Sequence, residues 1–421
     1  MADRRIDFNV DEELARRLRA RAADLNTGLQ DVILTELAAW LGDWGTSYAV
    51  HVVTSGESLA KLARLYYGET SKSAVIAAYN EIDNPNLLRV GQVLRIPNAK
   101  STPVTPLRKG ESPYVFGLHD RGGEHLMGWA GRKGWVLVTD EVGANANDWS
   151  GRNYADLSDQ GYGVIVRINH GYNPRGTLPN AKYYAAFAKR VGNMVERSSG
   201  CHIWVIGNEP NLAVERPGGP EHGEVITPQM YARCFKLCRD EIRSRPGHAD
   251  DQVVSAAIGP WNIQTKYGDN PTGDWIVYFQ HMLSLLGREV DGIALHTYAR
   301  DGNPANITSE ARMGWGFEHR RSMFRTYIDY MQAIPPVLRT LPVYITETNQ
   351  NIAWVNQTNR WVQEAYAEIN RWNANPTQQK IRSLILYRWE RHTGDIWSLQ
   401  GKDHVIADFR AALQHEYRWY G

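Results

Sequence analysis

The chain has 421 residues, 43% hydrophobic and 22% charged, with a net charge of +1. That length exceeds one small domain and points to two or three. The near-neutral balance excludes a global electrostatic pull toward nucleic acid or an acidic membrane, while 15 Trp and 21 Tyr against 8 Phe favour surfaces that stack on flat polar ligands such as sugars.

The N-terminus, MADRRIDFNVDEEL, lacks the apolar stretch of a secretory signal. No apolar run approaches the roughly 18 residues of a membrane span. A cytoplasmic location is expected, with lysis or a phage-associated route as the way out. In residues 1–44, Ile6, Phe8 and Val10 alternate with Arg5, Asp7 and Asn9, the period of a half-buried strand. Asp11 can cap a following helix carrying Leu14, Leu18 and Leu25. NTG at 26–28 breaks it, and a second helix over about 29–40 presents Val32, Ile33 and Leu37. So few residues cannot bury a core alone, so a second copy is expected as partner. This order resembles the ribbon-helix-helix fold, which implies an obligate dimer whose paired strands can enter a DNA groove. Six Arg stand against six Asp and three Glu here, a net charge of −3. That balance repels phosphate, so a homodimer is expected and DNA is not.

Residues 49–97 predict a strand, a helix opened by Ser55 or Ser58 with Leu59, Leu62, Ala63 and Tyr66 at helical spacing, a turn-rich stretch and a last short strand. GESL followed by LARLYYG, and GQVLRIP, resemble a LysM domain across its length. The resemblance implies a strand–helix–helix–strand fold and binding of glycans that contain N-acetylglucosamine, such as peptidoglycan or chitin-like chains. It implies a groove between Ser55, Gly56 and Glu57 in the first loop and Ile82 and Asn84 in the second. Residues 98–112, with two Pro and four Ser or Thr, read as an extended linker.

Across 113–421, eight mostly continuous apolar runs recur at 114–120, 135–143, 162–171, 202–211, 252–261, 292–300, 342–351 and 382–390. Continuous runs suit strands buried on both faces. Helical stretches such as AKYYAAFAKRVGNMVERS and NRWVQEAYAEINRWN fall between several of them. Eight such strands predict an α/β fold, a (β/α)8 TIM barrel. A doubly wound sheet is the alternative, but GLHDRGGEH is a poor phosphate loop. Cys201, Cys234 and Cys238 are too few and odd in number for a disulfide framework and suit buried thiols. No His pair has metal spacing and no Gly-Lys-Ser/Thr loop is present, so neither a metal nor a nucleotide cofactor is expected.

Polar residues gather where these runs end, at the face where barrel sites form. Asp120 closes the first run, with His119 beside it. Asn169 and His170 close the third, Asn208 and Glu209 the fourth, Trp261 the fifth, His296 and Tyr298 the sixth, Glu347 the seventh and Trp389 the eighth. Glu209 and Glu347, on the fourth and seventh strands, face each other across the mouth. Paired carboxylates can cleave a glycosidic bond. GNEPN, YITETN and LHTY resemble the corresponding strand ends of glycoside hydrolase clan A. The resemblance implies Glu209 as acid/base, Glu347 as nucleophile, Asn208 on the sugar 2-substituent, Tyr298 as donor to Glu347 and Trp389 as a stacking floor. Arg167 could hold Glu347 ionised by charge pairing, although the period does not fix which way it faces. The expected activity is a retaining β-glycoside hydrolase on an oligo- or polysaccharide. The alternatives are a non-catalytic carbohydrate-binding or phage-associated structural protein, or a DNA-tethered sugar sensor.

Overall fold

The structure, a computed structural model, describes residues 48–97 except 55, 69, 81, 83 and 85–87, and residues 107–420 except 376, 377 and 391–394. The ribbon-helix-helix-like segment, its dimer contact, Ser55 and linker residues 98–106 therefore lie outside the described residues. Contacts divide the chain into two units between Thr105 and Pro106.

In the first unit, β1 (Tyr48–Val52) pairs antiparallel with β2 (Val93–Pro97), Val52 opposite Val93. Between them run α1 (Leu59–Tyr67) and α2 (Ser73–Tyr79). Ser58 is the residue that caps α1, accepting from the Lys61 amide at 3.3 Å. Gly68 ends the helix at φ 82°, a left-handed turn that glycine adopts without strain. Leu59, Leu62, Ala63, Tyr66, Ile76, Leu94 and Ile96 form the core. The strand–helix–helix–strand order is the one expected.

The second unit is a closed barrel of parallel strands: β3 (Phe116–His119), β4 (Trp135–Glu141), β5 (Gly163–Asn169), β6 (Ile203–Ile206), β7 (Gln252–Ser255), β8 (Gly292–His296), β9 (Val343–Thr348) and β10 (Ile381–Leu386), with β10 pairing back to β3. Helices alternate with them: α3 (Glu124–Trp129), α4 (Ala155–Asp159), α5 (Tyr184–Glu196), α6 (Gly219–His222), α7 (Pro228–Arg243), α8 (Trp275–Leu286), α9 (Thr326–Ala333), α10 (Trp361–Ala374) and α11 (Asp403–Ala412). This is the α/β barrel the eight runs predict. Each strand is shorter than its run. The run at 252–261, for example, supplies only Gln252–Ser255 as strand, and its remainder becomes loop at the mouth.

Side chains sort by strand parity. Trp135, Leu137, Ile165, Ile203, Val205, Val254, Ala294, Tyr344 and Ile385 fill the barrel interior. Their neighbours, such as Val136, Val164, Trp204 and Ile345, pack outward against the helices. Residues 107–112, expected as linker, are bonded to the barrel floor: the Val164 amide donates to the Gly110 carbonyl and the Ser112 hydroxyl to the Lys133 carbonyl. The three cysteines are free and buried. Among the described residues no helix is long and apolar enough to cross a membrane.

Candidate active site

Strand parity carries side chains into the mouth. From the interior Ile165 on β5, two residues on is Arg167; from Leu137 on β4, two on is Thr139; from Ala294 on β8, two and four on are His296 and Tyr298. Glu347 breaks this rule, because Tyr344 points inward and position 347 has the opposite parity. A register shift between Leu295 and His296, which pairs His296 with Glu347 rather than Thr346, inserts the extra residue. Such a bulge re-aims the next side chain, and Glu347 joins the inner set.

Arg167 is the hub. Its Nη1 donates to Glu347 Oε1 at 2.5 Å and to Asn208 Oδ1 at 2.6 Å. Its Nε donates to the Thr139 hydroxyl at 2.9 Å, and its Nη2 lies 3.1 Å from His119 Nε2. His119 in turn gives its Nδ1 hydrogen to Asp120 at 2.9 Å, the tautomer that leaves Nε2 able to accept from Arg167. The Arg167 and Glu347 side chains are 3% and 8% exposed, so little water screens the pair. Burial alone would raise the Glu347 carboxyl. The His296 and Arg167 charges outweigh it and hold the group well below the usual glutamate range.

Glu209 sits across the mouth. His296 Nδ1 lies 2.6 Å from its Oε1. The Tyr298 hydroxyl donates to Glu347 Oε2 at 2.9 Å and stands 3.5 Å from Glu209 Oε1. One oxygen thus touches both carboxylates. Laid end to end, those two distances put Glu209 Oε1 and Glu347 Oε2 at most about 6.4 Å apart, a bound that admits the roughly 5–5.5 Å of a pair acting by double displacement. Glu209, Asp120 and Trp261 all have positive φ, at 35°, 68° and 59°. Non-glycine residues carry strain there, and strain concentrates at functional loops.

Trp389 is seated against glycines. A Cβ on Gly123 would stand 2.5 Å from Trp389 Cδ2, so glycine is required for the indole to lie where it does. Beside it opens a cleft of about 710 Å³ whose lining includes Asp120, Arg121, Tyr172, Tyr387 and Arg388. It lies on the Glu347 side of the mouth: burial, then the nearby Glu347 charge, raises the Tyr387 hydroxyl's pKa. Asp120 Oδ2 is buried there without a protein donor.

The structure therefore gathers Glu209, Glu347, Asn208, Arg167, His296, Tyr298 and Asp120, while the Trp389 indole is largely buried against Gly122, Gly123 and His125, between the cleft-lining Arg388 and Glu390. Trp261 is at the rim, its indole N–H donating to the Arg321 carbonyl at 2.9 Å with Arg300 over the ring. Asn169 is fully buried and accepts from Thr177, which in turn receives the Asn208 amide hydrogen. His170 lines a separate surface cleft, with Nδ1 on the Arg175 carbonyl. Sequence reasoning did not single out Thr139, Tyr387 or Glu215 as site residues. Thr139 and Tyr387 share the inward parity of Leu137 and Ile385, which is the signal that finds them. Glu215, on the turn Ala213–Glu215, has no periodic signal at all.

In the first unit, Gly56 has φ 83° and its carbonyl accepts from Lys61 Nζ at 2.6 Å. Glu57 folds back on its own loop, accepting from the Thr54 amide at 2.6 Å and lying 2.9 Å from His51 Nε2. Ile82 packs against the small core, and Asn84 is exposed.

Residues 51–97 match the family model "LysM domain". A Deinococcus radiodurans protein, described only as uncharacterized, is 36% identical over 91 residues, which are 22% of this chain and 36% of that protein's length. Among solved structures, the chain is similar to a GH128 (subgroup II) endo-beta-1,3-glucanase from Sorangium cellulosum, at 14% identity over 73% of this chain and 100% of that one with a TM-score of 0.42. It is similar to a Glycoside Hydrolase 5 lichenase from Caldicellulosiruptor sp. F32, at 13% identity over 70% and 83% of the two chains with a TM-score of 0.39. A glycoside hydrolase family 30 subfamily 8 xylanase from Clostridium acetobutylicum is 15% identical over 70% of this chain and 68% of that one, with a TM-score of 0.38.

Proposed function

We propose that the barrel is a retaining β-glycoside hydrolase with Glu347 as nucleophile and Glu209 as acid/base, acting on an oligo- or polysaccharide. The observation that carries this reading is the Tyr298 hydroxyl in reach of both carboxylates, with the separation it bounds. The depressed Glu347 supports an ionised nucleophile, since Arg167 and His296 favour the charged form. His296 and Tyr298 both address Glu209 Oε1, which leaves Oε2 to face the glycosidic oxygen.

The sugar ring stacks on Trp389. Glu209 protonates the glycosidic oxygen as Glu347 attacks the anomeric carbon; the leaving alcohol departs and a glycosyl ester forms on Glu347. Glu209, now a carboxylate, takes a proton from water, which attacks the same carbon and frees Glu347. The product keeps the β configuration. Asp120 Oδ2, unpartnered in the adjacent cleft, accepts from sugar hydroxyls on the non-leaving side. The LysM unit supports attachment to a glycan containing N-acetylglucosamine.

The test is turnover of a panel of aryl β-glycosides by wild type, Glu209→Gln and Glu347→Gln. Both variants should fall at least about 10³-fold. Absence of turnover by wild type on every sugar, with unchanged glycan binding by the variants, would favour a non-catalytic carbohydrate-binding protein and sink the reading.

A further inference from the structure

Asn208 is held from three sides. Its backbone amide donates to the Thr177 hydroxyl at 2.6 Å. Its Oδ1 accepts from Arg167 Nη1 at 2.6 Å, and its Nδ2 donates to Glu215 Oε1 at 3.0 Å. An arginine has only donors, so the amide oxygen must face Arg167 and the amide nitrogen must face Glu215. One Nδ2 hydrogen is then spent on Glu215, and the direction of the other is set.

Glu215 is itself anchored. Its carbonyl accepts from the Thr177 amide at 2.9 Å, so the same threonine ties its backbone to that of Asn208. At the start of its turn, the Ala213 amide donates to Gln264 Oε1 at 2.6 Å, and Arg216 Nη2 donates to the Gln264 carbonyl at 2.8 Å. The side chain is half-buried beside two other carboxylates. Burial chiefly, and the charges of Glu209 and Glu347 after it, push the Glu215 carboxyl up to about 7 against the pull of Asn208 and Arg167. A carboxyl kept in such company for packing alone would be a costly choice, because like charges and desolvation both oppose it.

We propose that Glu215 is a positioning residue: it orients the Asn208 amide so that its second Nδ2 hydrogen meets the 2-hydroxyl of the sugar whose anomeric carbon is attacked. The inference rests on the hydrolase reading above and extends it to a residue outside the two-glutamate pair. Its consequence is selective. Glu215 matters for substrates that carry a 2-hydroxyl, and matters little for substrates that lack one.

The experiment compares wild type, Glu215→Ala and Glu215→Gln on one aryl β-glycoside that wild type turns over and on its 2-deoxy counterpart, with thermal unfolding recorded for each. Glu215→Ala should lower kcat/KM on the parent glycoside about 10- to 100-fold, as a misdirected contact does, and on the 2-deoxy substrate by less than about threefold. Glu215→Gln keeps an acceptor oxygen for Asn208 and should restore most of the parent activity. Equal losses on both substrates, or no rescue by Glu215→Gln in a protein of unchanged melting temperature, would overturn the inference and leave the hydrolase reading standing. No turnover by wild type on any glycoside would remove both.

Discussion

The Arg167–Glu347 pair offers a test of the structure that needs no substrate. Both groups are almost fully buried, at 3% and 8% exposure, with Nη1 and Oε1 2.5 Å apart. With charge centres about 4 Å apart and an effective dielectric near 20, their gross attraction is about 4 kcal/mol. Removing one partner strands the other charge, at about 3–5 kcal/mol. Arg167→Met also leaves the Asn208 and Thr139 oxygens short of a donor. The double variant Arg167→Met with Glu347→Gln strands neither charge, so it should be more stable than the two single losses added together by about 2–4 kcal/mol. Denaturant unfolding of the barrel, followed by tryptophan fluorescence at pH 7, measures all four corners. The coupling has a predicted pH dependence. Glu347 titrates below its ordinary value in the folded state, so its contribution is complete above the ordinary glutamate range and is lost as pH falls through the depressed value. Coupling at pH 3 should therefore be smaller than at pH 7. Additivity within about 0.5 kcal/mol at pH 7 would refute a buried ion pair.

Two further outcomes follow from the packing. Gly123→Ala would place a methyl 2.5 Å from Trp389 Cδ2 and 2.7 Å from Leu118 Cδ1; it should cost about 1–3 kcal/mol and shift the fluorescence of a displaced indole, and wild-type stability would contradict the stated seat. At the barrel floor, Asp251 accepts from Trp204 Nε1 at 2.7 Å and faces His202 and His248 Nδ1 at 2.8 and 2.7 Å. Burial opposes its charge, but His202, His248 and Trp204 lower the carboxyl to about 2. That stabilisation, about 2.5 kcal/mol, is present above the ordinary aspartate value near 3.9 and lost as pH falls toward 2. His202 is raised by Asp251 and has the opposite sign: its share is complete below the ordinary histidine value and lost as pH rises through the folded one. Asp251→Asn should therefore lower stability at pH 6 by about 2 kcal/mol and by much less at pH 2.5; equal shifts at both would show that the cluster is not ionic.

Much of the site was legible because strand parity is local. Counting in twos from Ile165 reaches Arg167, and from Ala294 reaches His296 and Tyr298. The acidic pair was legible as two motifs at strand ends. Asn169 and His170 were legible as polar strand-end residues but not by destination. The first turns to Thr177 in the interior and the second to an outer cleft, since a loop's path after the strand depends on what it packs against.

The eight buried runs, their parallel order, the LysM pattern at 51–97 and the placement of Glu209 and Glu347 at the ends of two runs are properties of residue type and period, and the chain determines them by itself. The inward aim of Glu347 is not one of them. By period alone it would point outward with Ile345, and only the register shift against β8 turns it. The same holds for Trp389 on its glycines and for Glu215 on Asn208. Those contacts join residues from separate strands and loops, and a side chain's neighbours across a barrel are set by closure and register, which no local period encodes.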